Sequence, residues 1–250
     1  MLTGKALFTT LLQELNDMGL PGMSATLDEL YRSPKFVELD PLAAIAALVE
    51  PEYQKKMNKR IETRLRQAQL RGCPQELASC VDSAWREYCP NGVTEALASL
   101  DFIDEGLNVC ILGPSDSGKS YLAKAIGIAA CNTCRVEYAH CENLLEELVA
   151  LKNTDYTKYQ KRVKKLCSAA LLILDDFLLH TITDEREVKV LFEVMEKRCE
   201  GPHPKSTIIC SQRDPSSWTA MIMNDEVSAN AILKRATKNY TVVIKPRIAD

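Results

Sequence analysis

Gly113-Pro114-Ser115-Asp116-Ser117-Gly118-Lys119-Ser120 is the stretch that decides the fold, since it fits the G-x-x-x-x-G-K-[ST] pattern of a phosphate-binding loop. An apolar run at residues 109–112 precedes it, and apolar residues at helical spacing follow between 121 and 129. A loop between a strand and a helix is the context that this motif requires. The stretch therefore predicts a site for a nucleoside triphosphate.

The residue types of this loop suit the binding of phosphate. The loop of residues 113–120, in which every residue except Pro114 carries a backbone N–H, can surround phosphate oxygens together with the N–H of the next residue, Tyr121, at the positive end of the following helix. Lys119 is expected to reach the β- and γ-phosphates, and Ser120 to hold Mg²⁺. Asp116 is unusual, because it places a negative charge in a loop that receives anions.

Strands and helices alternate after residue 108, which is typical of a parallel sheet. The third strand, residues 171–174, is apolar throughout and leads directly into Asp175-Asp176. Asp-Asp after a strand is often a solvated turn. Downstream of a phosphate loop, however, Asp175 is a candidate ligand for Mg²⁺, and Asp176 can orient or activate the attacking water. One further strand is predicted between the strand that precedes the loop and this third strand. Such an additional strand is typical of ring-forming and recombination-type ATPases.

Two later residues are further candidates for the reaction. Gln212 follows the fourth strand and can bridge the γ-phosphate and the attacking water, although a turn residue is the alternative. Arg235 can stabilise charge on a neighbouring subunit's phosphate, although a solvated helix arginine is nearly as consistent with its neighbours Lys234 and Lys238.

The part of the chain before the loop contains helical patterns and no recognisable strand. We therefore predict an all-helical module at residues 1–90, with a helix at 42–49 ending before Pro51 and another at 52–71. Residues 91–250 are expected to form the nucleotide-binding domain.

Positive charge is concentrated in two runs, although the net charge of the 250 residues is only −3. Each run has two interpretations: a solvated helix face, or a surface that binds nucleic-acid phosphates. The candidate DNA contacts are Lys55, Lys56, Lys59, Arg60, Arg64 and Arg66 in the first run, and Lys161, Arg162, Lys164 and Lys165 in the second.

Composition places the chain among ordinary globular proteins, with 46% hydrophobic and 26% charged residues. It has no charged-then-apolar leader pattern and no apolar run long enough to cross a bilayer. These features lead us to expect a cytoplasmic protein without a membrane partner. Its 10 cysteines are then expected to be reduced thiols.

Several stretches together resemble the IstB/DnaC-like branch of the AAA+ ATPases, and the IstB-like proteins most closely. The resemblance is carried by residues 113–127, 171–177, 191–198 and 206–212 with Trp218, and by Ala231-Ile232-Leu233-Lys234-Arg235, which looks like the arginine-finger segment. The helical front end, with its basic helix, is also similar to the N-terminal region of this family.

The resemblance implies a P-loop AAA+ domain of the α/β class, with a parallel five-stranded sheet flanked by helices and preceded by a small helical module. It also implies an ATPase that uses Mg²⁺, assembles as a homo-oligomer on duplex DNA, and recruits or regulates a transposase in insertion-sequence transposition. ATP would lie between subunits, with Arg235 completing a neighbour's site. A replicative helicase loader similar to DnaC is the alternative, as is a degenerate copy with weak hydrolysis.

Three positions depart from the pattern of the family. Asp116 stands where the family usually has glycine, and Lys234 where it usually has aspartate. Lys245-Pro246-Arg247 replaces a terminal segment with a glycine before its sensor arginine. We expect Asp116 to influence nucleotide affinity and turnover, and Asp116→Gly to tighten ATP binding.

Overall fold

A computed structural model describes residues 4–34, 40–81, 86–223 and 225–246. Within them the chain divides into two compact units, one ending at Thr63 and the other beginning at Arg64. Arg247 lies outside the described residues. No helix in the described ranges is both long and apolar enough to span a membrane.

The first unit is helical. It contains α1 (Gly4–Asp17), α2 (Pro21–Arg32) and most of α3 (Pro41–Gln67). The rings of Phe8 and Tyr31 stack with their centroids 4.0 Å apart. The carboxylate of Glu52 accepts a hydrogen bond from the backbone N–H of Gly22 at 3.1 Å, which satisfies a donor in the first turn of α2.

Helix α3 begins where the sequence predicts but does not end before Pro51. The Asp40 carboxylate accepts hydrogen bonds from the backbone N–H groups of Leu42 (3.0 Å) and Ala43 (3.3 Å), and Pro41 occupies the first helical position. Pro51 lies inside one continuous helix. The prediction of two helices was wrong because a single missing N–H, with intact turns on both sides, does not end a helix.

The second unit is an α/β fold built on a six-stranded sheet in the order β1-β6-β2-β5-β4-β3. Strands β2 to β6 are all parallel to one another, whereas β1 pairs antiparallel with β6. The strands are β1 (Arg86–Cys89), β2 (Val109–Leu112), β3 (Val136–His140), β4 (Leu171–Asp175), β5 (Ser206–Ser211) and β6 (Tyr240–Pro246).

Helices cover both faces of this sheet. They are α4 (Ala78–Val81), α5 (Val93–Ala98), α6 (Asp101–Asp104), α7 (Lys119–Ala130), α8 (Cys141–Thr154), α9 (Tyr156–Ser168), α10 (Glu185–Cys199), α11 (Trp218–Met221) and α12 (Glu226–Thr237). The apolar residues of α7 form one buried cluster with residues of β2 and β6. Residues of α8, α9, α10 and α12 form a second cluster with Leu172, Leu174 and Ile209. The central strands are therefore buried on both faces, as their apolar runs predict.

The α/β class and the parallel core of the sheet are confirmed, but the predicted number of five strands was wrong. Arg86-Glu87-Tyr88-Cys89 forms an additional edge strand, in which only Tyr88 is buried. This segment is too short and too polar to have a strand pattern of its own. It forms a strand because it pairs with β6. The expected domain boundary after residue 90 consequently falls inside the second unit.

Asp184 caps the N-terminus of α10. Its carboxylate accepts a hydrogen bond from the backbone N–H of Arg186 at 2.8 Å.

Arg198, near the end of α10, is completely buried. Its guanidinium donates to four oxygens, which belong to Leu166, Ala169, Ser206 and Thr207. Burial lowers the pKa of Arg198 to about 10. The side chain thus joins the end of α9 to the start of β5 from inside the protein, which satisfies several carbonyl groups at once.

Candidate nucleotide-binding site

The loop between β2 and α7 is tight at both of its glycines. A Cβ atom on Gly113 would lie 2.6 Å from the Ser117 hydroxyl oxygen and 2.8 Å from the carbonyl oxygen of Ile244. Gly118, which precedes α7, has φ of 98°, a conformation that favours glycine. The Ser117 hydroxyl is buried and makes no hydrogen bond within the described residues. This close-wound loop before a helix fits the binding of a phosphate chain.

Lys119 is held inside the loop. Its side-chain Nζ donates a hydrogen bond to the carbonyl oxygen of Pro114 at 2.6 Å, and the residue is buried. Burial lowers the pKa of Lys119, and the negative charges of Asp175, Asp176 and Asp116 oppose that shift. The ammonium group therefore lies at the loop, where it can exchange its hydrogen bond to a protein carbonyl for one to a phosphate.

Ser120 and Asp175 are in direct contact. The Ser120 hydroxyl donates to Asp175 Oδ1 at 2.9 Å, and the Tyr138 hydroxyl donates to Asp175 Oδ2 at 2.7 Å. Asp175 is fully buried at the end of β4. Burial, together with the neighbouring Asp175 carboxylate, raises the pKa of Tyr138. A hydroxyl and a carboxylate oxygen are ligands that Mg²⁺ prefers, so these two residues fit the predicted metal site.

Asp176 continues from Asp175 into the open cleft. It has φ of 53°, and its backbone N–H donates to Asp175 Oδ1 at 3.1 Å. Its carboxylate lies 3.1 Å from the Nδ1 atom of His140, the last residue of β3. The cleft has a volume of about 280 Å³ and is lined by Ser115, Asp116, Gly118, Lys119, Ser120, Tyr121, Asp176 and Gln212.

The structure thus brings the predicted loop residues, Asp176 and Gln212 to one cleft, with Asp175 beneath it. Sequence reasoning did not identify His140 or Tyr138. Both lie on β3, which pairs with β4 so that His140 is opposite Asp175. A signal was available, since polar residues at the ends of adjacent parallel strands meet at one edge of a sheet.

Arg235 lies apart from the residues that line this cleft. Its guanidinium donates to the carbonyl oxygen of Ala231 at 3.1 Å and lies 3.5 Å from a Glu196 carboxylate oxygen. The guanidinium carbon is 5.4 Å from the centre of the Phe192 ring. The side chain is therefore engaged by its own subunit, and its adjacent residue Lys234 is exposed.

Most of the first basic run is exposed on α3. Within the described part of the chain, no ion pair involves Lys55, Lys56, Lys59, Arg60 or Arg66. Arg64 differs, because its guanidinium donates to the carbonyl oxygens of Cys131 at 3.1 Å and Asn132 at 2.8 Å. These two carbonyls follow the C-terminal end of α7, where a positive charge is favourable.

The second basic run lies on α9 and divides into two kinds of side chain. Lys161 and Lys164 are exposed. Arg162 and Lys165 form ion pairs with the buried Glu137 carboxylate, at 3.2 Å and 2.9 Å respectively. Arg162 also lies 3.0 Å from Glu147. Only part of this run is therefore free for a nucleic acid.

Comparisons with known proteins identify the family to which this chain is similar. The profile of the family described as IstB-like ATP binding protein matches residues 13–245. A Sinorhizobium fredii protein named as an insertion sequence ATP-binding protein is 33% identical over 229 residues, which are 91% of this chain and 90% of its own length. The protein so named for insertion sequence IS21 of Pseudomonas aeruginosa is 25% identical over 230 residues, 92% of this chain and 83% of its own.

Solved structures share the fold. DnaI has a TM-score of 0.53 at 20% identity, covering 70% of this chain and 89% of that one. The replication initiator DnaA, bound to AMPPCP and single-stranded DNA, also has a TM-score of 0.53, at 18% identity, covering 68% of this chain and 50% of that one. With a profile match over residues 13–245, the chain belongs to the family of IstB-like ATP binding proteins.

Proposed function

We propose that this protein is a Mg²⁺-dependent ATPase that assembles on duplex DNA and recruits or regulates a transposase. The observation that carries the proposal is the contact between Ser120 and Asp175 beside the buried Lys119, at the edge of an open cleft. Membership of the IstB-like family and the insertion-sequence names of its relatives support the role in transposition.

The loop residues have distinct parts in this reaction. Backbone N–H groups of residues 113 and 115–121 bind the phosphates, and Lys119 exchanges its hydrogen bond to Pro114 for one to a β- or γ-phosphate oxygen. Ser120 and Asp175 would hold Mg²⁺, which neutralises charge on the phosphates when it is bound. Tyr138 fixes the Asp175 carboxylate through its hydroxyl.

Asp176 is the group that orients the attacking water. Its carboxylate faces the cleft and is positioned from behind by His140 at 3.1 Å. Gln212 lies in the same cleft and can hold the water and the γ-phosphate together. His140 therefore acts as a positioning residue, because it contacts Asp176 but does not itself line the cleft.

Arg235 supports an assembly in which ATP lies between subunits. It does not line the cleft of its own chain, and in this proposal it serves the nucleotide of a neighbouring subunit. Its contact with Glu196 is long, at 3.5 Å, and a phosphate oxygen is a stronger partner for guanidinium than this half-buried carboxylate. A homo-oligomer with Arg235 at each interface is the arrangement that uses this residue.

The exposed cations of α3 and α9 supply the DNA-binding surface. Each lysine or arginine that neutralises a DNA phosphate releases a counterion, so binding is tight at low salt and depends little on base sequence. The basic part of α3 carries several such charges.

ATP hydrolysis measured with and without duplex DNA tests the proposal. We expect duplex DNA to stimulate hydrolysis, and we expect Lys119→Ala to abolish nucleotide binding and nucleotide-dependent assembly. Lys189→Ala is the matched control, since this exposed lysine of α10 pairs with Glu185 and is not among the residues that line the cleft. Hydrolysis that ignores DNA, or full nucleotide binding by Lys119→Ala, would contradict the proposal.

A pull-down with the two candidate partners separates transposition from helicase loading. We expect a partner transposase to be retained in the presence of ATP. Preferential retention of a replicative helicase would show instead that the protein is a loader. Absent hydrolysis with intact ATP binding would identify a degenerate copy.

Asp116 has two separable effects on nucleotide binding. Its exposed carboxylate lines the cleft, and its φ of 57° is a conformation that glycine adopts more readily. We expect Asp116→Gly and Asp116→Asn both to tighten ATP binding by several-fold, because both remove the charge that repels phosphate. Tightening by glycine alone would assign the effect to the backbone, and unchanged affinity of both variants would refute any role for the residue.

A further inference from the structure

The strand order restricts where the two ends of a nucleotide can lie. Asp175 and Asp176 follow β4, and Gln212 follows β5, so the groups for Mg²⁺ and the attacking water all lie on one side of β2. Strands β6 and β1 lie on the other side. With its γ-phosphate toward β5 and β4, a nucleotide in the loop directs its other end toward β6 and β1.

Arg86, at the start of β1, lies against the loop on this second side. A Cβ atom on Gly118 would be 2.6 Å from its Nε atom and 2.8 Å from its guanidinium carbon. That guanidinium carbon is 5.7 Å from the centre of the Tyr121 ring, which lines the cleft. The absence of a side chain at Gly118 is what lets Arg86 approach the loop so closely.

This guanidinium is half-buried and has no carboxylate within ion-pairing distance in the described part of the chain. Two carboxylates, Asp116 and Asp176, line the cleft, with Asp175 beneath them, and Lys119 is the lysine that opposes them. A bound phosphate chain therefore meets an excess of negative charge. A second cation next to the loop would offset it, and guanidinium suits phosphate because its donors are arranged as a fork.

We propose that Arg86 binds the nucleotide at the end that ATP and ADP share, through the α-phosphate, while its guanidinium is held over the Tyr121 ring. The inference rests on the proposed function only in that it needs a nucleotide in this cleft. It adds a cation that comes from an edge strand outside the loop motif, and it makes β1 part of the binding site.

Titration of the full-length protein with labelled ATP and labelled ADP, in the presence of Mg²⁺, tests the assignment. Arg86→Gln keeps much of the side chain that covers Gly118 but removes the charge, so we expect roughly 10-fold weaker binding of both nucleotides. Lys245→Gln is the matched control, because this exposed lysine of β6 is opposite Glu87, the neighbour of Arg86, and points to the other face. We expect it to bind both nucleotides like the unchanged protein.

A structural role for Arg86 makes a different prediction. If Arg86 were only structural, Arg86→Gln would lower the thermal unfolding temperature of the protein without nucleotide, and restoring the charge with lysine would not restore nucleotide affinity. If Arg86 binds the nucleotide, Arg86→Lys should recover part of the affinity for both nucleotides. Unchanged affinities of Arg86→Gln, or a loss for ATP alone, would overturn the assignment. If Arg86→Gln does not fold, Arg86→Lys is the deciding variant. We expect it to bind both nucleotides roughly 3-fold more weakly, and unchanged affinities would overturn the assignment. Retained binding by Lys119→Ala would instead show that the cleft itself is wrongly assigned.

Discussion

The two basic runs look alike in the sequence, but the structure gives them different surroundings. Along α3, lysines and arginines are exposed and form no ion pairs within the described residues, apart from Arg64, which donates to backbone carbonyls. Along α9, two basic side chains three residues apart, Arg162 and Lys165, turn toward β3 and form ion pairs with the Glu137 carboxylate.

The difference arises from one buried acid. Glu137 is 3% exposed, and a carboxylate in that position is strongly unfavourable unless cations pair with it. Arg162 and Lys165 provide that pairing, so their charges belong to the interior of the protein. A run of positive charge therefore measures how many cations a segment contains, but not how many of them face a ligand.

Removing the free cations of α3 should have the largest effect on DNA binding. We expect Lys55, Lys56, Lys59 and Arg60, all replaced by Gln, to weaken binding to duplex DNA by roughly 10²–10³-fold at low salt. The slope of log affinity against log salt should become shallower by about four, because each phosphate contact contributes about one. Filter retention or anisotropy over a range of salt concentrations measures both quantities.

The thermal unfolding temperature is the control for this variant. These side chains make no ion pairs in the described residues, so it should change little. An unchanged salt slope would show that α3 is a solvated helix face and would remove the distinction between the two runs.

Arg162→Gln should act on stability and not on DNA. It leaves the buried Glu137 with Lys165 as its remaining cation, and we expect a loss of about 2 kcal/mol in the free energy of unfolding. Chemical denaturation measures this loss, and Lys161→Gln, one residue earlier and exposed, is the matched control. A large loss of DNA affinity in the Arg162 variant, at unchanged stability, would reverse our assignment.

Lys161 and Lys164 are the cations of α9 that remain available. Replacing both by Gln should weaken DNA binding by roughly 10-fold and reduce the salt slope by about two, with stability unchanged. If this double variant binds DNA like the unchanged protein, α9 contributes nothing to the interface and α3 accounts for all of it.

Arg64 should be the exception within the first run. Its two hydrogen bonds to the carbonyls of Cys131 and Asn132 engage the guanidinium, so Arg64→Gln should cost about 1 kcal/mol of stability and leave the salt slope unchanged. A slope reduced by one would place Arg64 with its exposed neighbours.

Much of the fold follows from local pattern. The apolar strands β2, β4 and β5 and the helix after the loop were predicted because each carries its own periodicity or apolar run. Strand β1 was missed because its pairing partner lies more than 150 residues away, and Tyr88 is its only buried residue. The continuous α3 was missed because a proline lowers helix propensity without excluding a helix.

The site divides in a similar way. Lys119, Ser120 and Asp175 were predicted to act together, and the structure places Ser120 in contact with Asp175. His140 and Arg86 were not predicted. Arg86 lies on a strand before the loop and His140 on a strand after it, and neither strand carries a recognisable motif. Strand order supplies these contacts, and strand order is a property of the whole sheet. The roles of Gln212 and Arg235 remain predictions.

The pairing of β1 with β6 has a practical consequence for isolating the ATPase part of this protein. A fragment that starts at residue 91 lacks β1 and leaves β6, with its alternating Val242 and Ile244, as an open edge in the sheet. Unpaired edges of this kind join to one another, so such a fragment is expected to aggregate when expressed. A fragment starting at Arg64 keeps the edge covered, and it is the one to choose for crystallisation or for hydrolysis assays without the first unit.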